Sequence, residues 1–247
     1  MPNEPIQITL ESFPPLPASV SDRVARWPTW LMLRILRPVR ATLTCESKDL
    51  WPQVLAVVDE SGRSVEVKND LQVTAIVPPL CPVHPRLTAD EARWITELPS
   101  HVTAKSSPTA QTALKAGLLQ WHDALDLSHQ QSQSIENAGQ PRDGDYWHAI
   151  MHRREPDPGN AKYWFRAVGR HPLFPVLGET ARELFSMPST PPEAASWKSR
   201  LTPSWNPNAF VDLCETARAM EDSPLSRWVC QLQMAEMLLL LDWTARS

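Results

Sequence analysis

Glycine is scarce in this chain of 247 residues, with 7 against 25 prolines. No glycine-rich phosphate loop and no Gly-x-Ser-x-Gly elbow can be placed, so a nucleotide cradle and an esterase-type serine are not expected. Cysteine is sparse as well. Cys45, Cys81, Cys214 and Cys230 form no C-x-x-C pair and no zinc-type spacing, and Cys214 and Cys230 fall inside expected helices as core residues. Positive charge is short: the formal net charge is −4, which gives no electrostatic case for nucleic acid. Long hydrophobic runs are missing too. The stretch from Trp27 to Leu36 is too short for a membrane span and carries Arg34, while Glu236 and Asp242 interrupt the run from Met234 to Trp243. The first residues show no basic region followed by an apolar one, so no secretory signal is expected. The expectation is a soluble cytoplasmic protein with reduced thiols and no membrane contact.

What is present supports a real core. Apolar residues make up 42% and charged residues 21%, enough hydrophobicity to exclude charge-driven disorder and to fill one large domain. The prolines mark helix starts. Thr190, Pro191, Pro192 and Glu193 read as a capping box with proline at the first helical position, and Asn206-Pro207 and Ser223-Pro224 repeat the device. His171-Pro172 is a weaker version, and Thr88 with Glu91 opens a helix without proline. Helices are expected near 88–98, 108–138, 144–155, 159–169, 173–186, 191–199, 207–219 and 224–245. Residues 1–38 read as a proline-rich tail ending in a short helix around Trp30–Leu36. Residues 39–82 are β-branched and partly alternating, a small β-rich segment. The fold class is thus mainly α: an irregular helical bundle over 83–247 with a small β-containing N-terminal segment.

Histidine is unevenly placed. Five of the seven fall between 122 and 171: His122, His129, His148, His152 and His171. On the expected long helix, His122, Asp126, His129, Gln133 and Glu136 step by 4, 3, 4 and 3, which keeps side chains on one face. On the next, Asp145, His148, His152 and Glu155 step by 3, 4 and 3. Two antiparallel helices joined by a loop at 137–142 would bring these stripes together. Converging imidazoles and carboxylates suit a divalent Zn, Fe or Mn ion, with His122, His129, Glu136, His148 and His152 as candidate ligands and Glu155 and His152 as candidate acid–base groups. H-E-x-x-H and the Glu-x-x-His motif of di-iron bundles are both missing. The plainer alternative is that the imidazoles hydrogen-bond carboxylates across a helix seam.

A second row follows. Lys162, Arg166 and Arg170 step by four, and with Arg153 and Arg154 they could hold a phosphate or carboxylate. Tyr146 and Tyr163, the only tyrosines, lie here with Trp147 and Trp164. Arg154, Lys162, Tyr163 and Arg166 are therefore the candidate contacts for a small anionic molecule. An exposed basic face paired with neighbouring carboxylates explains the same row.

The run DGDYWHAIMHRREPD at 143–157, followed by NAKYWFR at 160–166 and VGRHP at 168–172, resembles an uncharacterised protein family of bacteria and fungi. Trp121-His122-Asp123, Ser128-His129 and the run WNPNAFVDLC at 205–214 fit the same pattern. The resemblance covers roughly 87–245. Residues 1–80 stand outside it, and Met237 occupies a position where the pattern has an aromatic. It implies a region of interest and no particular reaction. Three readings stay open: a metal-dependent protein or enzyme, a non-catalytic binder of phosphate or carboxylate metabolites, and a structural or interaction protein.

Overall fold

Pro207 and Pro224 start helices as the sequence leads one to expect, and Pro108 and Pro158 do the same. Pro108, Pro158, Pro207 and Pro224 each sit at the start of a helix, where a missing N–H costs nothing. The residues before them, Ser107, Asp157, Asn206 and Ser223, accept from the backbone N–H of Ala110, Asn160, Ala209 and Ser226. Thr88 and Glu91 form the expected reciprocal capping box.

A computed structural model of the chain describes residues 16–36, 77–85, 87–202 and 204–247. The protein is mainly helical, and the described residues contain no strand. In chain order the helices are α1 (Ala18–Val24), α2 (Thr29–Leu36), α3 (Ala89–Thr96), α4 (Ser100–Thr103), α5 (Pro108–Trp121), α6 (Leu125–Gln133), α7 (Asp143–Arg154) and α8 (Pro158–Val168). Then come α9 (Phe174–Phe185), a 3-10 helix (Pro192–Trp197), α10 (Lys198–Leu201), α11 (Pro207–Arg218) and α12 (Pro224–Thr244). No helix among the described residues is long and apolar enough to cross a membrane.

The core is built on α12. Its residues from Leu232 to Asp242 are buried in an unbroken run, so the helix is enclosed on every side rather than along one stripe. It packs on α5, α11, α9 and α1. Burying each large aliphatic side chain of such a helix contributes about 1.5–3 kcal/mol. Two buried carboxylates on α12 hold the neighbours. Glu236 accepts from the Tyr146 hydroxyl at 3.0 Å and from Arg153 Nη2 at 2.6 Å, which ties α7 to the centre. Asp242 accepts from Trp27 Nε1 at 2.9 Å and pairs with Arg23 and Arg246.

The structure departs from the sequence expectations in several places. The short helix expected around Trp30–Leu36 is present as α2, but the expected tail before it also forms α1, and Val20, Val24, Leu31 and Ile35 lie in the core. The β-rich segment expected at 39–82 lies mostly outside the described residues, and its described end, 77–82, forms no strand. The helix expected at 191–199 is a 3-10 helix without a side-chain cap, and Thr190 Oγ1 instead donates to Leu184 O.

The largest departure is in the helix expected at 108–138. It breaks at 122–124, where Asp123 takes a positive φ of 62°, and α6 sets off in a new direction. No glycine or proline causes this. Arg154 donates from Nη1 to Gln120 O in the last turn of α5, from Nη2 to the Asp123 carboxylate and from Nε to Pro79 O. A guanidinium fully inside the protein thus satisfies the end of one helix and fixes the turn into the next.

Candidate metal centre

Three elements meet at the site. His148 and His152, one turn apart on α7, stack with ring centroids 4.9 Å apart and planes 20° from parallel. The turn at 134–142, with Asn137 and Gly139 at positive φ, brings α6 back against α7. His129 on α6 then lies 4.8 Å from His148 and 5.2 Å from His152, centroid to centroid. One ring nitrogen from each of the three lies within 4.8 Å of the others. A point within about 3 Å of all three therefore exists, against metal–nitrogen bonds of about 2.0–2.1 Å. Tetrahedral ligands at that bond length stand about 3.3 Å apart, so closing the site needs roughly 1.5 Å of approach. His129 is only half-buried and is the ring free to make it.

His148 carries the strongest signal. It is 1% exposed, and neither Nδ1 nor Nε2 has a hydrogen-bond partner. Its ring lies on the indole of Trp164 from α8, at 4.0 Å and 19°. Burial, and then the neighbouring imidazoles of His152 and His129, push its pKa down to about 3. The ring is therefore neutral and keeps a lone pair. An unmet buried polar group costs about 1–3 kcal/mol, which folding would have to carry for no structural return.

His152 is arranged differently. Its Nδ1 faces Glu155 Oε2 at 3.1 Å, so Nδ1–H donates to the carboxylate and Nε2 holds the lone pair. Asn160 Nδ2, from the first turn of α8, reaches that Nε2 at 3.3 Å. Burial lowers the His152 pKa while Glu155 and Asp157 oppose the shift. A carboxylate on one ring nitrogen fixes the ring and leaves the other nitrogen as the lone-pair donor, the arrangement that orients metal-binding histidines.

Other residues expected at the site stand elsewhere. His122 falls at the break after α5, where its Nε2 meets Arg34 O at 2.5 Å, and it does not join the three. Glu136 is exposed beyond the end of α6, within electrostatic reach of Asp145. Glu155 touches His152 and not the common point of the cluster. His171 donates from Nε2 to Asp143 at 2.9 Å and accepts Leu173 N–H on Nδ1, a fully satisfied structural histidine. Hydrogen bonding thus describes His171 and His122, and both nitrogens of His152 are engaged by Glu155 and Asn160, whereas neither nitrogen of His148 is.

The basic row does not converge either. Arg154 is inside the protein at the α5–α6 turn, Lys162 pairs with Asp212 of α11, and Arg166 lies 5.9 Å over the Tyr163 ring on the surface. Tyr163 is 55% exposed and meets Trp164 edge-on. No anion pocket is assembled from these four. The sequence pattern gives no role to Asn160 and places Trp164 only beside the candidate anion contacts. The cap at Asp157-Pro158 was the signal that could have placed Asn160 on the first turn facing back to His152. Set against family models, curated proteins and solved structures, the chain matches none.

Proposed function

We propose that this chain is a metal-binding protein whose centre is His129, His148 and His152. The observation that carries this reading is His148: a buried neutral imidazole with both nitrogens unpartnered, pointing into a set of three histidines. Neutral imidazoles suit Zn, Fe or Mn, and a set of three leaves coordination open for water or a substrate. When bound, such an ion acidifies water or polarises a carbonyl, which fits hydrolytic or lyase chemistry. Glu155 then holds the His152 tautomer, and His152 serves as a ligand rather than as an acid or base. Trp164 closes one side of the centre against solvent. The stretch concerned is also the one through which the sequence resembles an uncharacterised family. The free thiols of Cys81, Cys214 and Cys230 suit the reducing, cytoplasmic setting expected from the sequence.

The test is metal analysis of the purified full chain. Wild-type protein dialysed against Zn2+ or Mn2+ should retain about one ion per chain, and His148→Ala should weaken binding by more than about a hundredfold, beyond the usual cost of losing an outer partner. Metal-free wild-type protein at equilibrium with micromolar Zn2+ would sink the reading.

A further inference from the structure

Asn160 is placed by its backbone before its side chain is considered. Pro158 opens α8, Asp157 caps it by accepting Asn160 N–H at 3.0 Å, and α8 packs along α7. Asn160 is thereby fixed beside the end of α7, with its amide over His152. Both nearby carboxylates are committed elsewhere: Glu155 to His152 Nδ1 and Asp157 to the cap. Among the described residues, Asn160 is the side chain whose polar atom engages a ring lone pair of the cluster.

That contact has a telling length. Asn160 Nδ2 lies 3.3 Å from His152 Nε2. A carboxamide is planar, and its oxygen and nitrogen exchange places by a half-turn of the terminal torsion. The half-turn puts Oδ1 where Nδ2 stands, 3.3 Å from Nε2. Two donors on one ion with bonds of about 2.0–2.1 Å are about 3.3 Å apart in a tetrahedral site. The two atoms already have the spacing of neighbouring ligands. We propose that Asn160 is a fourth protein donor, through Oδ1, turning its amide from N–H to C=O as the ion enters. This rests on the three-histidine reading and adds to it: with four protein donors, water or a substrate enters as a fifth ligand. Three imidazole nitrogens and one amide oxygen form a harder donor set than imidazole alone, which favours Zn, Fe and Mn over soft Cu(I).

The test compares Asn160→Ala and Asn160→Asp with wild type in the full chain, using Zn2+ and Mn2+ in equilibrium dialysis. Asn160→Ala should bind at least about tenfold more weakly, since loss of a ligand costs no less than loss of an outer partner. Asn160→Asp keeps an oxygen in place and should bind at least as tightly as wild type. If Asn160 merely caps the His152 lone pair, it competes with the ion, and Asn160→Ala would bind equally or more tightly; that result overturns the proposal alone. A wild type that takes up neither ion overturns it together with the three-histidine centre. Circular dichroism of the half-exposed Asn160→Ala variant separates a lost ligand from a lost fold, and a folded Asn160→Ala that loses Mn2+ more than Zn2+ supports the oxygen donor.

Discussion

The indole of Trp164 lies on the imidazole of His148, 4.0 Å between centroids and 19° from parallel, so the most deeply buried ring of the cluster has a fluorophore as its wall. A paramagnetic ion bound by His148 sits within quenching range of that indole. Titration with Co2+ should therefore lower tryptophan emission until one equivalent is bound. Trp164 is one of 11 tryptophans, so the change is small, and its assignment needs a variant. Trp164→Phe keeps an aromatic face on His148 and should retain Co2+ uptake while losing most of the quench. A quench that survives in Trp164→Phe would place the ion elsewhere.

Acid should destabilise the protein through the same ring. The pKa of His148 is about 3 in the folded protein, against about 6.5 for an unperturbed imidazole. Above pH ~6.5 the ring is neutral whether folded or unfolded, and pH has no effect through it. Between ~6.5 and 3 the unfolded chain takes up a proton that the folded protein refuses. Stability then falls with pH by up to about 1.4 kcal/mol per unit from this group, levelling off below 3. His152, also lowered by burial, adds in the same direction. Urea midpoints at pH 7, 6 and 5 should drop in the wild type and drop less in His148→Phe, which keeps the stack on Trp164. Parallel slopes would show that His148 is protonated in the folded state. The same depression keeps the ring available to a metal at pH 6, where an ordinary histidine is largely protonated.

The sequence made part of this site readable. His148 and His152 are four apart within one uninterrupted helix, and the turn residues between α6 and α7 forecast that His129 would fold back on them. His122 was misplaced because nothing between Trp121 and Ala124 announces a break. Its cause, Arg154, lies 31 residues beyond Asp123, and local periodicity carries no trace of such a contact. The short helix expected around Trp30–Leu36 is present as α2, but α1 was hidden for a related reason. In α1 only Val20 and Val24 face the core, too few apolar positions to define a period, and the surrounding prolines read as a tail. The basic row failed in the opposite way. Its spacing on α8 holds for Lys162 and Arg166, while Arg170 lies past the helix end at Gly169; and Lys162 is paired with Asp212 from α11, which spacing along one helix does not reveal.

The Arg154–Asp123 pair should be costly to break from either side. Both side chains are buried, and the pair fixes the left-handed turn that launches α6 towards the site. Asp123→Ala leaves Arg154 without its charge partner and puts a residue with no side-chain oxygen at φ 62°. Loss of one partner of a buried pair costs about 3–5 kcal/mol. Asp123→Asn tolerates the left-handed region and keeps an acceptor for Arg154, so it should lose clearly less. Equal losses in urea unfolding would mean that the charge, and not the turn, is what Asp123 supplies. Because α6 carries His129, metal affinity should fall with stability in Asp123→Ala.

Two glycines near the site should respond differently to a methyl group. At Gly117 on α5, an added Cβ would lie 2.5 Å from Trp147 Cζ2 and 2.6 Å from Cε2, with Leu241 Cδ2 at 3.0 Å. The Trp147 indole is fully buried and its Nε1 reaches Thr244 Oγ1 at 3.4 Å, so it has nowhere to retreat. Gly117→Ala should lose about 1–3 kcal/mol by overpacking. At Gly144 on α7, the Cβ would meet Ile135 Cδ1 at 2.5 Å and Cγ1 at 2.9 Å, on a half-buried side chain that can turn aside towards solvent. Alanine there also gains part of the roughly 0.5–1 kcal/mol by which it exceeds glycine in a helix interior, Gly144 lying in the first turn. Gly144→Ala should consequently stay within about 1 kcal/mol of wild type, the clash and the propensity offsetting each other. The functional readout separates them further. Trp147 is next to His148 on the same helix, so the strain in Gly117→Ala is delivered to the cluster, and its Zn2+ affinity should drop along with its urea midpoint. A Gly117→Ala protein that unfolds like wild type would show that α5 and α7 are not in the close contact that brings Trp147 against Gly117.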